Sequence, residues 1–132
     1  LVNRLSQDGV KVNITAIFLL DQVREVAAAV AGGAPCCVSV FAGRIADAGL
    51  DYMPVMAESI EILKSNSQAE LIWASPREVL NIYQADAIGC HIITATNDLL
   101  RKLSLAGKDL SEYSLETVRM FYNDAQNAGY QL

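Results

Sequence analysis

Val10-Lys11-Val12-Asn13-Ile14-Thr15-Ala16-Ile17-Phe18 is β-branched and apolar, and it follows the turn signal Asp8-Gly9. Asp21 then stands before an Ala-rich run, Val23 to Ala31, with helical spacing, which Gly32-Gly33 stops. A buried-looking strand feeding a helix is a βα unit, and the rest of the chain repeats it. Cys36-Cys37-Val38-Ser39-Val40-Phe41 is a second apolar run. A Gly-containing loop is expected from Gly43 to Asp51. Pro54 then opens a helix in which Val55, Met56, Ser59, Ile60 and Leu63 recur at i, i+3, i+4 spacing. Leu71 to Ala74 starts a third unit, passing through Ser75-Pro76-Arg77 into a helix from Glu78 to Gln84. His91 to Ala95 starts a fourth, leading to a helix carrying Leu99, Leu100 and Leu103. A last helix is expected over about Ser114 to Ala128, opened by Ser114.

Near-continuously apolar strands with helices between them predict a parallel sheet covered on both faces, with right-handed crossovers. Four such units fit a small open doubly wound sheet. They also fit half of an eight-stranded barrel, which typically needs about 250 residues.

The chain has 132 residues, enough for one ordinary domain. Apolar residues make up 52% and charged residues 19%, which excludes a disordered tail. Fifteen acids against ten bases leave a net charge of −5, which argues against a general nucleic-acid binder. No run reaches about 18 apolar residues, so no membrane span is expected. Leu1-Val2-Asn3-Arg4 does not read as a signal peptide. A first residue that is Leu rather than Met suggests a piece of something longer. The three cysteines are odd in number, Cys36 and Cys37 are adjacent, and Cys90 stands alone. That favours a reducing cytoplasm over a disulfide framework. No Cys/His metal spacing occurs, so no metal or other cofactor is expected.

Ligands of βα folds sit at the carboxyl ends of strands. Polar groups gather there in every unit: Asn13 and Thr15, Ser39 with Arg44, Ser75 with Arg77, and Thr94 with Thr96. Asn13 and Thr15 lie two apart and share a face of the strand. They read equally well as satisfied buried polar residues or as site residues. Arg44 and Arg77 each follow a strand closely and stand near a serine. A guanidinium fork matches phosphate oxygens bidentately, and nearby helix N-terminal N–H groups would complete an anion site. The competing reading pairs each arginine with an acid, Asp47 or Glu78. Two arginine-bearing strand ends in consecutive units favour the anion site.

Other reactive residues read as structural. Lys11 opens its strand, at the wrong end for a Schiff-base lysine. His91, the single histidine, also opens a strand, so a Ser-His-Asp or Cys-His site is not expected. The cysteines sit at strand starts, where inert thiols are the default. Trp73 reads as core or barrel wall, and Glu58 and Glu61 as a solvated face.

Taken together these residues resemble transaldolase, including its small-subunit branch and the fructose 6-phosphate aldolases. Gly9-Val10-Lys11-Val12-Asn13-Ile14-Thr15 is similar to the family's Gly-Ile-x-x-Asn-x-Thr strand, the fifth of its barrel. Ser39-Val40-Phe41-Ala42-Gly43-Arg44-Ile45-Ala46-Asp47 is similar to its Ser-Pro-Phe-Val-Gly-Arg-Ile-x-Asp block after strand six. Ala74-Ser75-Pro76-Arg77 is similar to its Ala-Ser-Phe-Arg block at strand seven. The Thr94 region and the helix with Phe121 to Asp124 resemble the eighth unit and the closing helix. Val40 stands where the family has Pro, and Pro76 where it has an aromatic residue.

The resemblance implies an α/β chain of the (β/α)8 TIM-barrel family. Residues 1–132 would be a single C-terminal half, the last four βα units plus a C-terminal helix. It implies transfer of a dihydroxyacetone unit between sugar phosphates through a lysine Schiff base, as in the pentose phosphate pathway. Arg44 and Arg77 would bind the sugar phosphate, with Ser75 beside them. Asn13 and Ser39 would hydrogen-bond substrate hydroxyls or the Schiff-base region, Thr15 would hold the catalytic water, and Phe41 would line the pocket. The family's Schiff-base lysine lies on strand four and its acid/base carboxylates on strands one and three, all upstream of Leu1. Lys11 falls on a variable position and inherits no role.

A half barrel would expose two unpaired edges and its apolar interior. A partner supplying strands one to four, or self-association into a homo-oligomer, is therefore expected. A phosphosugar-binding half-barrel without turnover and a plain aldolase are the alternatives. An open-sheet signalling domain is disfavoured, because no cluster of acids sits at a strand end.

Overall fold

The computed structural model describes residues 1–66 and 68–130. Its elements in chain order are α1 (Val2–Gln7), β1 (Asn13–Ile17), α2 (Leu20–Val30), β2 (Cys36–Val40), α3 (Ala42–Asp47) and α4 (Met53–Leu63). They continue with β3 (Ala69–Trp73), α5 (Leu80–Ala87), β4 (Ile92–Ile93), α6 (Asn97–Lys102), a 3₁₀ turn (Leu103–Leu105) and α7 (Leu110–Asn127). The chain forms two compact units, Leu1–Arg101 and Lys102–Leu132, and the barrel geometry concerns the first.

The four strands pair in parallel in the order β1-β2-β3-β4. An order without reversal is the singly wound arrangement of a barrel wall, not the doubly wound one. Asn13, Cys37 and Glu70 share one level of the sheet, and Ile14, Val38 and Leu71 the next. Further up, Val40 and Trp73 stand level with Ile17 on one side and Ile93 on the other.

Alternation sorts these residues onto two faces. Ile17, Val38, Val40, Leu71 and Trp73 are buried and join Val23, Val26 and Val30 of α2 and Met56, Ile60 and Leu63 of α4 in one core. The helical residues recur at the spacing of a single apolar stripe. Tyr52 packs edge-on against Trp73, with ring centroids 5.3 Å apart. On the other face Asn13 and Thr15 are exposed, and Cys37 and Glu70 are half-buried. Helices therefore cover one face, which corrects the expected double cover. Asn13 and Thr15 accordingly lie on the open face and not in the core.

Local chemistry moves several boundaries. The first strand begins at Asn13 rather than Val10, so exposed Lys11 precedes it. Asp21 does not cap α2. The Gln22 side chain reaches back instead, accepting the N–H groups of Phe18 (2.9 Å) and Leu19 (3.0 Å). Asp51 accepts the Met53 N–H at 2.8 Å, beside Pro54 in the first turn of α4. The helix after β3, α5, begins at Leu80 rather than Glu78. Two helices lack a sequence signal long enough to read. The first, α1, is tied to α2 by Asn3 Nδ2, which donates to the Ala29 carbonyl at 2.9 Å. The second, α3, occupies the expected loop and buries Ala42, Gly43 and Ile45. The last strand has only two residues, because only Ile72 and Trp73 of β3 face it.

In the second unit α7 starts at Leu110, not Ser114. Asp109 is its N-cap, its carboxylate accepting from the Ser111 (2.9 Å) and Glu112 (3.0 Å) N–H groups. Among the described residues no helix is long and apolar enough to cross a membrane.

Candidate functional site

The polar groups at the carboxyl ends of the strands form three local arrangements. The first lies on the open face of β1 and β2. Ser39 is buried, and its hydroxyl donates to Asn13 Oδ1 at 2.8 Å. Above this pair the β1–β2 register slips between Ile14 and Ile17, a β-bulge in which Ala16 takes φ +61°. A bulge of this kind re-aims side chains at a strand end. Thr15 stands in it and is exposed.

The second arrangement follows β2. Phe41 is half-buried, with its ring 5.8 Å from that of Phe18. The Arg44 guanidinium lies over the Phe41 ring, 5.7 Å from its centroid. Arg44 also lines an apolar cleft with Phe18, Leu19, Ile45, Leu50 and Val55.

The third follows β3. Ser75 has φ +58°, a left-handed conformation that a residue with a Cβ adopts only where its surroundings enforce it. Ser75, Pro76, Arg77, Thr94, Ala95 and Thr96 line a cleft of about 330 Å³. Gly43 of α3 touches this loop so closely that a Cβ on it would sit 1.6 Å from the Ser75 carbonyl oxygen. Only glycine permits that approach. Arg77 forms an ion pair with Asp47, with both side chains about half exposed at 52% and 54%. Exposed pairs of this kind contribute about 0–1 kcal/mol, so Asp47 holds the Arg77 guanidinium only weakly.

Ser75 and Arg77 thus share one cleft, Asn13 and Ser39 share a hydrogen bond, and Phe41 and Arg44 are stacked. Arg44 and Arg77 line different clefts. Arg77 makes one of the acid pairings the sequence offered, with Asp47 and not Glu78.

The chain also holds a network that the sequence reading did not single out. Asn81 is buried in the first turn of α5. Its Oδ1 accepts the backbone N–H of Arg77 at 2.8 Å and of Glu78 at 3.2 Å. Its Nδ2 donates to Tyr52 Oη at 2.9 Å and to Gln84 Oε1 at 3.1 Å. The available signal was an asparagine, a poor helix former, four places after Arg77.

Lys11, His91, Cys36 and Cys90 lie at or just before the amino ends of the strands. His91 Nδ1 accepts the Leu71 N–H at 3.1 Å. Burial pushes the Cys36 thiol above its ordinary pKa; the adjacent Cys37 adds to this and Lys11 opposes it. Burial also raises Cys90, against backbone hydrogen bonds at Ile92, Trp73 and His91. Cys37 Sγ lies 3.9 Å from Glu70 Oε2 on the open face.

A singly wound parallel sheet with helices on one face and polar groups at its carboxyl ends defines a segment of a βα-barrel protein. The whole chain, residues 1–132, matches the model of the transaldolase/fructose-6-phosphate aldolase family, and the chain belongs to that family. A probable transaldolase of Herpetosiphon aurantiacus is 31% identical over 128 residues, covering 96% of this chain and 55% of that protein. One of Thermoanaerobacter sp. is 31% identical over 132 residues, covering 99% of this chain and 57% of that protein. One of Methanococcus maripaludis is 36% identical over 103 residues, covering 77% and 46%. The chain therefore spans about half the length of the curated relatives it matches. The fold class read from the sequence, α/β of the TIM-barrel family, holds.

Proposed function

We propose that this chain supplies the phosphate-binding part of a transaldolase that moves a dihydroxyacetone unit between sugar phosphates in the cytoplasm. The observation that carries this is the cleft after β3, where Ser75 and Arg77 converge in a chain of this family. Arg77 receives the phosphate bidentately and Ser75 adds a hydrogen bond. Arg44, stacked on Phe41, supplies a second positive charge at the neighbouring strand end. The bond from Ser39 to Asn13 Oδ1 leaves Asn13 Nδ2 free to donate to a substrate hydroxyl. Phe41 lines the sugar pocket, and Thr15 holds the water that hydrolyses the Schiff base.

The Schiff-base lysine belongs to a strand outside this chain. Its amine condenses with the ketose carbonyl and releases water. Cleavage of the carbon–carbon bond frees an aldose phosphate, and the retained three-carbon carbanion attacks the acceptor aldehyde. The open face and outer edges of the sheet are completed by the remaining barrel strands, and the assembled protein is a homo-oligomer.

Fructose 6-phosphate titrations of Arg77→Ala and Arg44→Ala test the phosphate site. Each should lose affinity by about 1.5–3 kcal/mol, the range for a charge-assisted hydrogen bond. Unchanged affinity in both variants would sink the assignment. Borohydride reduction with fructose 6-phosphate followed by intact mass tests the covalent step. A sugar adduct on a lysine outside this chain is expected, and an adduct on Lys11 would overturn the lysine's placement.

A further inference from the structure

We infer that Asn81 is the positioning residue for Arg77, holding the loop that aims the guanidinium into the cleft. The inference rests on the phosphate-binding reading of Arg77. A guanidinium on a loop binds phosphate well only if the backbone beneath it is already in place. Here the loop leaves β3 through a strained residue, Ser75 at φ +58°, and Pro76 has no N–H to anchor it. The next two N–H groups, of Arg77 and Glu78, both end on Asn81 Oδ1. Asn81 is itself fixed by two donated hydrogen bonds, to Tyr52 Oη and Gln84 Oε1, and Tyr52 also donates to Gln84 Oε1 at 2.9 Å. Tyr52 rests edge-on against Trp73 of the core. An unbroken path therefore runs from the buried end of β3, through Tyr52 and Asn81, to the backbone of Arg77.

The amide is matched to this place. The loop side needs an acceptor for two N–H groups, and the helix side needs donors for the tyrosine and glutamine oxygens. Leucine has similar bulk and supplies neither. Aspartate keeps the acceptor and loses the donors, and the Tyr52 hydroxyl can turn to donate to it. Asp47 acts on the guanidinium alone and is exposed, so it does not replace this grip.

The test is a double-mutant cycle on the full-length protein, with fructose 6-phosphate and D-fructose as ligands. Asn81→Leu should weaken fructose 6-phosphate binding about tenfold, the scale of one charge-assisted hydrogen bond, and leave D-fructose binding unchanged. In an Arg77→Ala background, adding Asn81→Leu should cause no further loss. Asn81→Asp should bind fructose 6-phosphate much as the unmodified protein does. If Asn81→Leu does not fold, Asn81→Ser repeats the test, being polar but too short to reach the loop.

Multiplicative losses in the double variant, equal losses for both ligands, or an Asn81→Asp as weak as Asn81→Leu would each overturn the inference. Each would mean that Asn81 supports the fold and not the arginine. An Arg77→Ala protein that binds fructose 6-phosphate normally is a different result. It would remove the phosphate reading itself, and the inference with it.

Discussion

The two faces of the sheet are made from the same strands and do opposite work. Cys36, Val38, Leu71 and Trp73 point into the helix-covered core, and none of them is exposed. Asn13, Thr15, Cys37, Ser39 and Glu70 belong to the open face, where Ser39 bonds to Asn13 and Cys37 to Glu70 across strands. Cys36 and Cys37 show the contrast in two consecutive residues. The covered face stabilises by apolar burial, roughly in proportion to area. The open face keeps the polar groups a ligand would need, and its contribution to stability is correspondingly small.

Trp73→Ala should break the comparison most forcefully. It removes the largest buried side chain and its contact with Tyr52, at about 3–5 kcal/mol in denaturant titration. A loss no larger than that of an open-face variant would show that the core lies elsewhere. Gly43→Ala should come next, at about 1–3 kcal/mol, because the added Cβ meets the Ser75 carbonyl and must push the two site loops apart. That variant should also weaken fructose 6-phosphate binding, and a stable variant with intact binding would contradict the close approach. Ser39→Ala removes the hydrogen bond to Asn13 and should lose only about 0.5–1.5 kcal/mol.

The finest test uses the thiols. Native-state alkylation at mildly alkaline pH, read by peptide mass, should modify Cys37 well before buried Cys36. Urea should abolish the difference. Burial raises the folded pKa of Cys36, so its neutral thiol contributes stability below the unfolded thiol's pKa. That contribution is lost as pH rises through the folded value. Equal labelling rates in the native state would mean that the two faces are equally open.

The βα order and the site segments were legible because their signals are local. Apolar runs at Cys36 to Val40 and Leu71 to Trp73 sit between helical stripes such as Met56, Ile60 and Leu63. Arg44 and Arg77 follow their strands within a few residues. Lys11 and His91 each stand just before a strand, away from its carboxyl end. Short elements were another matter. Six residues of α3, with glycine among them, are too few to hold a helix on their own, and burial of Ala42 and Ile45 decides them. Similarly, Gln22 and not Asp21 caps α2, because a longer side chain reaches back over the turn.

Residue order alone established the class of fold, the family blocks and which polar residues stand near the strand ends. Periodicity and spacing are properties of neighbours along the chain, so they survive without coordinates. Only the tertiary structure decided that the helices gather on one face of the sheet, that Gly43 touches Ser75, and that Asp47 meets Arg77. It also decided that Asn81 holds the Arg77 loop from within α5. Each of these joins segments distant in sequence or bends the chain back on itself. The register of the sheet and the packing of α3 and α4 against it select such contacts, and no local pattern encodes them.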